Sequence, residues 1–243
     1  MTGAWEKVRV DNNDMPLYVS TPASGGPLPG IVVVHGKSGL ETFIKDVTHM
    51  LALQGYVAVA PNLYHRDGPD CKDDSGTRKS RLRDPSIIND INAAVGFLKN
   101  HRQVNGAKLG IVGFCMGGRL VYLMSGANKD LKAGVMFYGG GTMRPFGEGP
   151  TPFERTREIN CPVQGHFGAE DKDPSPEDMR KLDAELTKFG KAHEFHTYQR
   201  AAHAFVNAGS NNYWPHAASL AWPKATEFFA RHLVGEERLS LPR

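Results

Sequence analysis

Apolar positions along the chain fall into two rhythms that alternate: short unbroken runs, and longer stretches at helical spacing. Residues 5–10 and 15–20 read as a short N-terminal strand pair. Ile31-Val32-Val33-Val34 is a continuous apolar run, the pattern of a strand buried on both faces. Phe43, Val47, Met50 and Leu51 then recur at helical spacing, and Gly55 supplies a C-terminal stop. Residues 56–60 form the next strand, closed by Pro61. Asp84-Pro85 places a capping side chain before a proline at the first helical position, and Ile87, Ile88, Ile91, Ala94, Val95 and Leu98 line one helix face. Residues 109–113 are another buried strand, followed by a glycine-flanked turn and a helix to residue 126.

Residues 133–138 and 162–167 give two more strands. Ser175 and Asp178 are spaced as a capping box with Pro176 between them, and Met179, Leu182, Leu186 and Phe189 carry that helix to Gly190. Residues 193–198 form a last strand, and a final helix covers 217–233, with Pro223 starting or kinking it. The alternation predicts an α/β fold of one domain, residues 1–243, with a mostly parallel central sheet covered by helices on both faces. Residues 62–83, which are polar, and 139–160, rich in Gly, Pro and Thr, both follow strands. They belong at the C-terminal edge of the sheet, where open α/β sheets bind ligands.

Composition narrows the class. The 243 residues are 40% hydrophobic and 23% charged, which suits a globular protein rather than a disordered one. A net charge of +3 is too small to suggest nucleic acid as a partner. No apolar run reaches the roughly 18 residues of a membrane span, and residues 1–7 lack the basic and apolar regions of a secretory signal. Three unevenly spaced cysteines, Cys71, Cys115 and Cys161, make neither a disulfide framework nor a CxxC metal site. The expectation is a cytoplasmic protein without metal or cofactor, a monomer or homodimer.

Chemistry concentrates at Gly113-Phe114-Cys115-Met116-Gly117-Gly118, between a predicted strand and a predicted helix. This is the form of a nucleophile elbow with Cys in place of Ser. A Cβ at position 113 or 117 would collide with neighbouring backbone, and the thiol lies at a helix N-terminus, where partial positive charge lowers its pKa. Cys161 reads as a core residue and Cys71 as a loop thiol. A thiol nucleophile needs a base, and the base needs an acid that orients it. Asp171, in Gly168-Ala169-Glu170-Asp171, follows a late strand; Asp173 shares the position but can serve the helix that begins just beyond. His203 lies past the last strand, whereas His193 and His196 are within or beside it and read as sheet residues. Val34-His35-Gly36-Lys37-Ser38-Gly39 ends an early strand. Its N–H near Lys37, with that of Met116, suits an oxyanion hole, while His35 reads as a structural hydrogen-bonder.

Gly-Phe-Cys-Met-Gly-Gly at 113–118, Gly-Ala-Glu-Asp at 168–171, His-Ala-Phe at 203–205 and Ala-Pro-Asn-Leu-Tyr at 60–64 together resemble the dienelactone hydrolase family of the α/β-hydrolase fold. The likeness spans residues 31–233. It implies a Cys115–His203–Asp171 triad that opens an unsaturated lactone through an acyl-enzyme, giving a keto acid such as maleylacetate. Two positions depart from the family: Gly36 stands where it has Glu, and Asn207 where it has Arg. The first loss removes a substrate-triggered switch on the thiol. Both differences bear on the substrate, so a broader carboxylesterase or thioesterase on the same triad is the alternative, and a non-catalytic ligand receptor a more distant one. Candidate substrate contacts are Gly36, Tyr64, Tyr138 and Trp214, with Arg78 and Arg81 as a carboxylate clamp.

Overall fold

The computed structural model describes residues 3–23 and 25–235. Met1 and Thr2, part of the N-terminal stretch read above, lie outside them. Eight strands are described: β1 (Gly3–Val10), β2 (Asn13–Ser20), β3 (Leu28–Val34), β4 (Val57–Pro61), β5 (Val104–Phe114), β6 (Leu131–Phe137), β7 (Val163–Gly168) and β8 (His193–Tyr198). They form one sheet in the order β1-β2-β4-β3-β5-β6-β7-β8. β1 and β2 pair antiparallel, β2 runs antiparallel to β4, and every pair from β4 through β8 is parallel.

The helices are α1 (Thr42–Leu53), α2 (Ser75–Ser80), α3 (Asp84–Asn100), α4 (Met116–Ala127), α5 (Pro176–Lys188) and α6 (Pro215–Phe229), the last continued by a π-helical turn at Ala230–Val234. The unbroken apolar run of β3 has a direct cause. Val32 and Val34 belong to one core with Ile91 and Leu98 of α3, Leu120 of α4 and Leu182 of α5. Ile31 and Val33 pack on the opposite face with Ile44 and Leu51 of α1 and Phe228 of α6. Alternate residues therefore enter different cores, and both must be apolar. Among the described residues, no helix is long and apolar enough to cross a membrane.

Three local expectations change. The polar stretch 62–83 contains α2 and a 3-10 turn at His65–Asp67. No apolar periodicity marks α2; it is capped by Asp74, whose carboxylate accepts from the N–H groups of Gly76 at 2.8 Å and Thr77 at 3.1 Å. Asp84 is not the cap of α3. Arg83 holds that position without a side-chain bond, and the Asp84 carboxylate instead takes two hydrogen bonds from buried Arg119, at 2.7 and 2.8 Å. A bidentate charged donor outcompetes backbone N–H groups that a helix end can leave to water. Finally, α6 begins at Pro215, so Pro223 lies inside it rather than at its start. The Ser175–Asp178 capping box is present as read.

Candidate active site

Because β3 and β5 to β8 run parallel, the loops after them gather at one sheet edge: Gly36 and Lys37 after β3, Cys115 after β5, Tyr138 after β6, Asp171 after β7 and His203 after β8. Cys115 occupies the turn between β5 and α4 with φ +58° and ψ −119°, a region costly for a residue with a side chain. The flanking glycines make that turn possible. A Cβ on Gly113 would lie 2.2 Å from the Gly117 carbonyl oxygen, and one on Gly117 would lie 2.1 Å from that of Val34.

His203 Nδ1 lies 2.9 Å from Asp171 Oδ2, and the other carboxylate oxygen accepts from the Asp173 N–H at 3.0 Å. The rest of the imidazole reaches the Cys115 thiol. Burial opposes a thiolate at Cys115, but the hydrogen bond and charge of His203, with N–H groups of Met116 and Lys37 aimed at the sulfur, bring its pKa below the ordinary thiol value. Burial likewise opposes an imidazolium, yet hydrogen bonds to Asp171 and Cys115 raise the His203 pKa to about 10. Each shift favours the charged form of its group, a thiolate at Cys115 and an imidazolium at His203.

The surroundings hold this line in place. Tyr138 has φ +40° and is buried, with its ring centroid 5.1 Å from that of His203. His35 is a buried brace: its Nε2 accepts from the Leu63 N–H at 3.1 Å, its Nδ1 lies 2.6 Å from the Gly36 carbonyl oxygen, and burial lowers its pKa to about 4. Tyr64 donates from its hydroxyl to the Lys37 carbonyl at 2.8 Å. Gly36 lies directly against the elbow, since a Cβ there would be 3.3 Å from Cys115 Cβ. Cys161 is buried in the core, as read.

Two cavities meet at Cys115 and His203. One, of about 270 Å³, is bordered by Gly36, Glu41, Phe43, Tyr138 and Asn207. The other, of about 380 Å³, is bordered by Met116, Lys79, Arg144, Phe146 and Lys172. Lys37 borders both. Tyr64, Arg78, Arg81 and Trp214 border neither. Arg78 lies over the Tyr64 ring at 4.3 Å and donates to Asp67 at 2.9 Å, while Arg81 pairs with Asp67 and Asp73. These two arginines stiffen the loop beneath Tyr64 instead of forming an open clamp. Trp214 packs in the core beside α6. Sequence reasoning missed Glu41, Lys79, Arg144 and Lys172 as cavity walls. The signal for Arg144 was its place in a loop after a strand.

The dienelactone hydrolase family profile matches residues 15–233. A Methylorubrum extorquens protein bearing a carboxymethylenebutenolidase name is 32% identical over 94% of this chain and 80% of its own. A Bradyrhizobium protein named a probable 2-oxo-3-(5-oxofuran-2-ylidene)propanoate lactonase is 30% identical over 96% of this chain and 95% of its own. Among solved structures, one titled a dienelactone hydrolase from Klebsiella pneumoniae superposes with a TM-score of 0.87 at 28% identity, covering 95% of this chain and 98% of that one. The dienelactone hydrolase-like promiscuous phosphotriesterase P91 from metagenomic libraries shares the fold, with a TM-score of 0.81 at 21% identity over 95% of this chain and 98% of that one. With its elbow, its mostly parallel sheet and these likenesses, the chain belongs to the dienelactone hydrolase family of the α/β-hydrolase fold, hydrolases of ester and lactone bonds.

Proposed function

We propose that the protein opens an unsaturated, dienelactone-type lactone through Cys115 as nucleophile, His203 as acid and base, and Asp171 as the group that orients the imidazole. The observation that carries this reading is the line Asp171–His203–Cys115 with two backbone N–H groups converging on the sulfur. The thiolate attacks the lactone carbonyl, forming the C–S bond. The carbonyl electrons move onto oxygen, where the N–H groups of Met116 and Lys37 meet the developing charge. Collapse breaks the ring C–O bond; the ring oxygen departs as an enolate, which takes the proton of the His203 imidazolium to become a ketone and leaves His203 neutral. Water then attacks the thioester, His203 takes its proton, the C–S bond breaks, and a keto acid such as maleylacetate leaves.

Gly36 supports a second reading, a broader esterase or thioesterase. With no side chain beside Cys115 at that position, no carboxylate from it holds the sulfur away from other acyl groups. Hydrolysis of cis- and trans-dienelactone and of p-nitrophenyl acetate, by wild type and Cys115→Ser, tests both. The lactonase reading predicts fast dienelactone turnover that falls about 10³-fold or more in the variant, as losses of triad members do. Turnover of the aryl ester alone favours the second reading, and wild-type rates in Cys115→Ser contradict both.

A further inference from the structure

The two cavities that meet at Cys115 differ in charge. On the side of Met116, Lys37, Lys79, Arg144 and Lys172 stand with two carboxylates, and both carboxylates are engaged. Asp171 holds His203, and Asp173 takes a 2.6 Å hydrogen bond from Arg144. Lys79 and Lys172, which border this cavity, make no ion pair with any described residue; the Lys79 ammonium lies 5.6 Å from the Phe146 ring centroid. On the side of Tyr138, Glu41, also without an ion pair among the described residues, borders the cavity together with Lys37. Partial burial raises the Glu41 pKa. Lys37 is common to both cavities, so what distinguishes the two walls beside the thiol is Lys79 and Lys172 in one and Glu41 in the other.

We infer that the cavities are charge-sorted halves of one substrate groove, in which Lys79 and Lys172 receive an anionic oxygen group and Glu41 confines the other half to a neutral or cationic remainder. These three side chains then fix which way round the scissile carbonyl meets Cys115. An anion on one side of the ester bond is attracted by two ammonium groups, while an anion on the other side meets a carboxylate. The inference rests on the hydrolase reading and adds orientation to it.

The test uses two matched pairs of esters. Mono-p-nitrophenyl succinate against p-nitrophenyl butyrate places the anion on the acyl side; 4-acetoxybenzoate against phenyl acetate places it on the alcohol side. Charge sorting predicts opposite signs: one anionic ester exceeds its neutral counterpart in kcat/KM by about tenfold, and the other falls below its own. Lys79→Met with Lys172→Met removes the preference, so that the anionic-to-neutral ratio of kcat/KM falls to about one in the favoured pair, while Glu41→Gln relieves the disfavoured anion. Inhibition of phenyl acetate hydrolysis by succinate or by inorganic phosphate, whichever acts at lower concentration, assigns the anion as carboxylate or phosphate. Equal signs for the two pairs, or a preference that survives the double variant, overturns the inference while leaving the hydrolase reading intact. Absence of Cys115-dependent turnover of every ester would overturn the hydrolase reading and this inference with it.

Discussion

Cys115 sits at φ +58° on a turn that only its glycine neighbours permit, and its sulfur faces one imidazole and two N–H groups. The lowered thiol pKa and the His203 pKa of about 10 bound a pH window in which sulfur is negative and imidazole positive. Alkylation by iodoacetamide reads that window. In wild type, the rate of Cys115 modification should reach half its plateau below the ordinary cysteine value of about 8.5. Asp171→Asn removes the charge that favours the imidazolium, so the midpoint should move up in pH; an unchanged midpoint would show that the carboxylate does not act on the pair. Cys115, Asp171 and His203 were legible in sequence because each stands in a short motif tied to the end of one strand. Glu41, Lys79, Arg144 and Lys172 were not. They reach the site from α2 and three separate loops, and only the folded edge brings them together.

Among the elements, α3, α4 and the loop after β6 are fastened by one buried side chain. Arg119, 1% exposed, binds Asp84 of α3 and donates to the carbonyls of Gly141 at 3.1 Å and Arg144 at 2.7 Å. Its guanidinium also lies 3.9 Å from the centroid of the Phe146 ring, and the Phe146 N–H donates to Asp84 at 3.0 Å. The wall that carries Arg144 is thereby anchored to two helices. Asp84→Ala leaves a buried, unpaired guanidinium and should cost about 3–5 kcal/mol in urea unfolding. A loss under about 1 kcal/mol would mean that the backbone carbonyls alone satisfy Arg119. This contact explains why Asp84 was misread as a helix cap while Ser175 was read correctly. The partners of Ser175 lie within its own helix turn, whereas the partner of Asp84 is far along the chain.

For the whole molecule, the alternation of apolar runs and helical faces was enough to read a parallel sheet covered on both sides, because burial on two faces leaves a continuous apolar strand as its trace. The exact strand limits were less legible. β5 runs from Val104 to Phe114, well before the apolar run at 109–113; its early part meets β3 at Leu28↔Val104, whereas its pairing with β6 begins only at Leu109. That sheet brings five strand ends to one edge and sets a thiol, an imidazole and a carboxylate in line there. The central claim, that acyl transfer passes through Cys115, is open to a direct look. Wild type mixed with a dienelactone or p-nitrophenyl acetate, quenched in acid within the first turnovers and digested, should yield the Cys115 peptide heavier by one acyl group, with the thioester lost on treatment with hydroxylamine. Turnover with that peptide unmodified at every quench time, and unaffected by blocking the thiol, would contradict it.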